Sequence, residues 1–137
     1  MGLIGRKSHV ARLKRLSGPG MEREVGKALF VGGNRIQVEA QISITAGAVS
    51  GKNHVASRPG EAPNADTHVL ANNIETVQRE PLLVEVSSNA PYSAPLEFGT
   101  SRMAARPFMA PARNKKRKEV TDLVTRAVKR AVGRSGR

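Results

Sequence analysis

The side chains that could do chemistry are few and scattered in this chain of 137 residues. Its three histidines are His9, His54 and His68, and no two of them have the spacing of metal ligands on one helix. The chain contains no cysteine, which excludes disulfides and thiolate metal sites. It has neither a Gly-rich phosphate loop followed by Lys and Ser or Thr, nor a serine-centred elbow. We therefore expect no catalytic site, no metal site and no cofactor.

Positive charge is the strongest chemical signal in the sequence. The formal net charge is +12, and residues 1–27 carry seven Lys or Arg against two Glu. Residues 113–137 carry ten against two acids, whereas residues 28–112 carry six against seven. Such ends attract polyanions, although a charged face can also simply keep a small protein soluble. We expect contacts with double-stranded DNA or an acidic partner from the basic residues of the last predicted helix: Lys115, Lys116, Arg117, Lys118, Arg126, Lys129 and Arg130.

Length and composition predict a single domain with a thin core. Only 3% of the residues are aromatic and none is Trp, so such a domain gains stability from association. We divide it into a basic N-terminal arm (1–20), a long loop (46–68) and a basic C-terminal tail (133–137) around an α+β body. No apolar run reaches the length of a membrane span, and no apolar segment follows the basic N-terminus as in a secretory signal. We expect synthesis in a reducing cytoplasm and no membrane partner.

Periodicity of the apolar residues predicts the elements of that body. Residues 21–44 repeat apolar or small residues every three or four positions, which predicts a long helix. Residues 69–78 and 82–87 alternate as strands, and residues 93–98 supply a third. Residues 111–132 carry a narrow apolar stripe typical of an amphipathic helix. The prediction is an α+β fold: an antiparallel sheet of three to four strands, covered by a long N-terminal helix and an amphipathic C-terminal helix.

Three further features leave alternatives open. Gly32 and Gly33 interrupt the long helix, either as a weak spot or because another backbone approaches closely. The long loop is either a functional segment that orders against a neighbouring subunit or a plain insertion. Residues 8–16 can form one or two basic helical turns before the break at residues 17–20.

Residues 92–112 concentrate the bulky and rigid side chains of the protein. They contain its only Tyr, two of its three Phe and three of its eight Pro. Because aromatic side chains bury the most area per residue, we expect Phe98 and Phe108 to anchor the core. Gly99 lies where the chain leaves the predicted third strand, and we expect a sharp turn with positive φ there.

Three ionisable side chains lie in or beside that turn. Glu97 is near the end of the predicted strand, Arg102 lies in the following loop, and Arg106 begins an extended link because it precedes a proline. We expect Glu97 to form an ion pair with Arg106 or Arg102, within one subunit or across a subunit boundary.

The same segment carries a family resemblance. Its pattern AP-Y-x-AP-x-EFGT, followed by R-M-x-ARPF-x-x-PA, resembles the signature of head–tail joining proteins of long-tailed bacteriophages and phage-like gene transfer particles. Members are called neck, tail-completion or minor tail-component proteins. A second likeness covers residues 57–75, where His68 replaces a Gly that is frequent in the family. The matching signature residues are Ala90, Pro91, Tyr92, Ala94, Pro95, Glu97, Phe98, Gly99, Thr100, Met103, Ala105, Arg106, Pro107, Phe108, Pro111 and Ala112.

The resemblance implies a structural virion protein rather than an enzyme. Such a protein forms a ring, a hexamer or a twelve-fold assembly, that joins the capsid connector to a siphovirus-type tail and surrounds the DNA exit channel. Its partners would be copies of itself, neighbouring connector and tail-tube proteins, and non-specifically bound DNA. The alternatives are a freestanding basic nucleic-acid-binding protein and an assembly factor absent from the virion. The expected subunit-interface residues are Tyr92, Glu97, Phe98, Gly99, Thr100, Arg102, Arg106, Pro107 and Phe108.

Overall fold

The computed structural model describes residues 18–46, 56–63 and 69–135, with side chains up to residue 133. The predicted short helix 8–16, most of the N-terminal arm and much of the long loop lie outside these residues. The last two residues of the C-terminal tail and all three histidines lie outside them as well.

The described part of the chain is α+β, with long helices at both ends and a two-stranded antiparallel sheet between them. Both long helices and the predicted strand 82–87 are confirmed to within three residues at each boundary. The elements in order are α1 (Pro19–Thr45), α2 (Val69–Asn72), β1 (Ile74–Glu80), β2 (Leu83–Ser88), α3 (Ser93–Phe98) and α4 (Met109–Ser135).

Two parts of the strand prediction are wrong. Residues 69–72 form a helical turn, so that β1 starts only at Ile74, and residues 93–98 form helix α3. Pro95 explains the second difference, because it is the third residue of α3. A helix makes no use of the N–H group there, whereas a proline inside a strand removes a ladder hydrogen bond. The predicted third strand is therefore a helix, and in the described residues the sheet has two strands.

Helix α1 lies between the sheet and α4, and two adjacent glycines allow both contacts. A Cβ on Gly33 would lie 2.7 Å from Cγ2 of Thr76 in β1 and 2.9 Å from Cγ1 of Val84 in β2. A Cβ on Gly32 would lie 2.9 Å from Cγ1 of Val120 in α4. The helix runs through both residues without a break. The expected close approach of another backbone is wrong: the close neighbours of both glycines are side chains of β1, β2 and α4.

The hairpin packs one face against α1. Its register places Ile74 opposite Ser88 and Thr76 opposite Val86, with an irregularity between Gln78 and Glu80. Thr76 Oγ1 donates a 2.7 Å hydrogen bond to the side-chain oxygen of Gln37 in α1, which fixes the sheet on the helix. The long helix therefore covers the sheet, as the sequence predicts.

The core is small and rich in alanine. Its largest fully buried side chains are Phe108 and Ile44, which are 1% and 0% exposed. Phe108 is thus confirmed as a core anchor, but Phe98 is 80% exposed and that part of the prediction is wrong. The other buried members of the cluster are Ala40, Leu70, Ala71, Ile74, Ala90 and Ala112.

Candidate functional site

A tight turn joins α3 to the segment that leads into α4. Gly99 has φ 76° and ψ 175°, a conformation that is essentially restricted to glycine, and its N–H donates to the carbonyl of Pro95 at 2.8 Å. Thr100 N–H donates to the carbonyl of Met103 at 2.8 Å, and Met103 N–H donates to Thr100 Oγ1 at 3.1 Å. The predicted positive φ is confirmed, and the turn brings both ends of the segment together.

Glu97 caps the N-terminus of α4 from across that turn. Its carboxylate accepts hydrogen bonds from the backbone N–H groups of Phe108, Met109 and Ala110 at 2.8, 3.0 and 2.9 Å. Pro107 and Phe108, which precede the helix, have no side chain that could cap it. A carboxylate is favoured at the positive end of the helix dipole, and here it satisfies N–H groups that the helix leaves unpaired.

The expected ion pair of Glu97 with Arg106 or Arg102 is not formed within the subunit. Both carboxylate oxygens of Glu97 already accept hydrogen bonds from the three N–H groups at the start of α4. Arg106 instead donates from its backbone N–H to the carbonyl of Leu96 at 2.6 Å and from Nε to the carbonyl of Ser57 at 3.2 Å. It therefore ties α3 to the described piece of the long loop, while Arg102 is exposed.

The nine expected interface residues consequently separate into two groups. Glu97, Gly99, Arg106, Pro107 and Phe108 are buried or half-buried and hold the segment together. Those that face solvent are Tyr92, Phe98, Thr100 and Arg102.

An open groove, which we call the β2 groove, lies beside the exposed Phe98. Its volume is about 520 Å³, and it runs between β2, α3, the middle of α1 and the start of α4. The sequence alone did not predict this groove, because it exists only where these four elements meet. Its lining is mostly apolar, with Arg113 as the one cation, and includes Ile36, Val84, Val86, Phe98, Phe108 and Met109.

The strand that borders the β2 groove has a free edge. Asn89 N–H donates to the carbonyl of Asn73 at 3.0 Å, which makes this a hydrogen-bonded pair of the ladder. Because such pairs alternate along antiparallel strands, the backbone N–H and C=O groups of Val84, Val86 and Ser88 point away from β1. Across residues 18–46, 56–63 and 69–135, no second strand pairs with that edge.

The opposite end of the hairpin exposes two leucines. We call residues Glu80, Pro81, Leu82 and Leu83 the hairpin tip. Leu82 is 51% exposed and Leu83 is 44% exposed. Glu80 is exposed and makes no ion pair with another described residue. The sequence contains this surface as Leu82 and Leu83 after Pro81, a pattern that also predicts the start of a strand.

The basic residues of α4 do not form one free surface. Lys115 lies 2.6 Å from Glu39 of α1, and Lys116 lies 4.0 Å from Glu39 and 3.4 Å from Glu119. Arg130 lies 3.7 Å from Glu24 of α1. These three cations therefore bind α4 to α1, and their charge is partly neutralised within the subunit.

The other basic residues of α4 face solvent. The side chains of Arg117, Lys118 and Lys129 are exposed and make no ion pair or hydrogen bond with the part of the chain described, while Arg126 Nε donates to the carbonyl of Asp122. Lys118 and Lys129 are eleven residues apart, so they lie on the same face of α4, about 16 Å from each other. Both of these basic side chains of α4 remain accessible from solvent.

Comparison with known proteins gives no relative: no family model, no curated protein and no solved structure matches the chain. Within the described ranges, no cluster of three His, Asp or Glu could hold a metal ion. None of the described helices combines the length and apolar character needed to cross a membrane.

Proposed function

We propose that this chain is a structural virion protein that assembles as a ring at the junction between head and tail of a long-tailed phage or phage-like particle. The observation that carries the proposal is the arrangement of the signature segment. Its buried and half-buried residues are joined by the Glu97 cap and the Gly99 turn, and they hold Phe98, 80% exposed, at the rim of an apolar groove. A large apolar residue presented in this way is typical of a protein–protein contact.

The remainder of the molecule supports association rather than catalysis. The core is built largely from alanines, which bury little apolar area each, so neighbouring subunits would add much to its stability. The function follows from binding and geometry: copies joined head to tail close into a ring when the rotation per subunit fits. The tail-completion or tail-terminator station, and a six-fold or twelve-fold copy number, are part of the proposal.

In such a ring, solvent-facing lysines would bind the DNA backbone without recognising the base sequence. Lys118 and Lys129 lie on one exposed face of α4, where they can contact phosphates of DNA that passes through the ring. Contacts of this kind position a duplex but do not read its bases.

Quantitative mass spectrometry of purified tailed particles tests the proposal. We expect the chain at six or twelve copies for each portal ring, and we expect Phe98→Asp to be lost from particles while the exposed helix variant Thr121→Asp is retained. Absence of the unaltered chain from finished particles would overturn the virion role and favour an assembly factor.

A freestanding nucleic-acid-binding protein is the second candidate, and the exposed, unpaired Arg117, Lys118 and Lys129 favour it. It predicts tight binding to duplex DNA by the isolated monomer, with log affinity falling steeply as log salt rises. Removing both lysines (Lys118→Ala with Lys129→Ala) would lower that slope by about 1.8, at about 0.9 for each phosphate that the protein no longer neutralises. Weak monomer binding with no change of slope would argue against this candidate.

A further inference from the structure

The β2 groove has the features of a site for a polypeptide. Its lining is apolar, and the free N–H and C=O groups of Val84, Val86 and Ser88 border it, so that an incoming backbone can be bonded there. A small charged ligand would find few charged partners, because the carboxylate of Glu97 already accepts hydrogen bonds from three N–H groups. The cation at the rim is Arg113, whose only hydrogen bonds to described residues are two contacts of 3.4 Å with Asn114.

The hairpin tip has the complementary chemistry. Leu82 and Leu83 offer two adjacent exposed apolar side chains, and Glu80 offers a carboxylate without an ion-pair partner in the described residues. An acid next to two leucines matches an apolar groove with an arginine at its rim. We propose that the hairpin tip of one copy docks into the β2 groove of the next copy, with Glu80 facing Arg113.

The positions of the two surfaces make this contact intermolecular. The tip is at one end of the hairpin, where Pro81 contacts the first turns of α1 at Gly26. The groove begins at Val84 and extends along β2 to Ser88 and Ile36 of α1, and none of the four tip residues lines it. Its far end at Ser88 is five steps along β2 from Leu83, about 17 Å at 3.4 Å for each residue. Because the tip continues directly into the strand that borders the groove, it cannot turn back into the groove of its own subunit. The two surfaces share no residue, so one copy can use both, and such a contact is head-to-tail.

An exposed carboxylate distinguishes the tip from the apolar outer side of α1. That side exposes Val31, Val38 and Ile42, and its neighbouring cation Arg35 pairs with Glu119 at 3.6 Å. At the tip the charge is mixed, because Arg23 and Lys27 of α1 line a shallow pocket together with Glu80. Glu80 is nevertheless the exposed acid beside an apolar pair, and such an acid is the complement of Arg113 at the groove.

The absence of cysteine from the chain allows a direct test by crosslinking. Full-length Leu82→Cys and Ala94→Cys proteins are mixed and treated with a short bis-maleimide, and each is also treated alone; Ala94 is exposed in the groove lining, so that Phe98 stays in place. We expect a crosslinked dimer in the mixture, in at least tenfold excess over either protein alone, and a ladder of multimers from the double variant. The matched control is Leu82→Cys mixed with Thr121→Cys, which replaces an exposed residue of α4 and should give no excess.

A charge exchange tests the pairing of Glu80 with Arg113. We expect Glu80→Arg and Arg113→Glu each to weaken assembly about tenfold, measured by sedimentation, and the double exchange to restore most of it. Circular dichroism of each variant checks that the fold is intact. Purely additive losses would overturn the pairing.

The inference rests on the proposed ring, and the outcomes separate the two. If the unaltered protein oligomerises or is found in particles, and the Leu82→Cys and Ala94→Cys proteins form the same oligomer without crosslinking in excess, the tip-to-groove contact is overturned but the ring stands. Leu82–Leu82 crosslinks in comparable yield overturn the head-to-tail arrangement. Protein that stays monomeric at all concentrations and is missing from tailed particles overturns the ring itself.

Discussion

Phe98 and Phe108 lie ten residues apart in the same segment, yet their surroundings are opposite. Phe108 is 1% exposed and packs in the cluster formed by α1, α2, β1 and α4. Phe98 ends α3 and is 80% exposed at the rim of the β2 groove. The two neighbourhoods are joined by Glu97, which belongs to α3 but hydrogen-bonds the start of α4.

The difference shows that one short segment has two separate tasks. The region around Phe108 determines whether the domain folds, because that side chain and Ile44 are the largest ones fully buried. The Phe98 side chain contributes little to the fold, because it is left largely in water. A resemblance in the sequence covers both kinds of residue, and only their burial separates structural positions from contact positions.

Substituting each phenylalanine with alanine is the strongest test of this comparison. We expect Phe108→Ala to lower the free energy of unfolding by about 3–5 kcal/mol, because it removes a buried ring and leaves a cavity. Phe98→Ala should change it by less than about 0.5 kcal/mol, since the ring is exposed, while reducing assembly. Urea denaturation followed by circular dichroism measures both, and equal losses of stability would show that Phe98 is also a folding residue.

The turn between the two regions provides the next largest effect. Gly99→Ala should destabilise by about 2–4 kcal/mol, because alanine is strained at this φ and ψ and its Cβ would lie 2.9 Å from the backbone nitrogen of Ala105. Gly133→Ala is the matched control: it lies in α4 with nothing within 4 Å, and should stabilise by up to about 1 kcal/mol. The same urea titration is used, and two losses of similar size would mean that the turn imposes no special conformation.

The sequence predicted the parts of the fold that depend on local periodicity. The apolar repeat of residues 21–44 and the stripe of residues 111–132 were sufficient for α1 and α4. The strand alternation was sufficient for β2 and most of β1. The prediction failed at residues 93–98, because six residues are too few to distinguish the helical period of about 3.6 residues from the strand period of about 2. Pro95 already argued against a strand there.

The candidate site depended on contacts that no local pattern encodes. Glu97 caps N–H groups that are 11 to 13 residues away, so its partners follow from the Gly99 turn and not from spacing on one element. The sequence does show that no capping side chain precedes α4 and that its basic residues start at Arg113, in the second turn. These two facts indicate that an acid must come from elsewhere, but they do not identify which one. The β2 groove likewise appears only once four elements are placed.

Removing the cap is the smallest of the expected effects and the finest test of how the two regions are joined. We expect Glu97→Ala to destabilise by about 1–2 kcal/mol, the usual magnitude for a lost helix N-cap. Glu97→Gln should lose less, because its amide oxygen still accepts hydrogen bonds. Glu85→Gln is the control, since Glu85 pairs with Arg79 at 2.9 Å on the exposed face of the hairpin, and such pairs contribute roughly 0–1 kcal/mol. If the cap also positions Phe98, Glu97→Ala will weaken assembly more than its loss of stability explains. If assembly changes only in proportion to the folded fraction, Glu97 belongs to the folding region alone, and the groove is positioned by α3 without it.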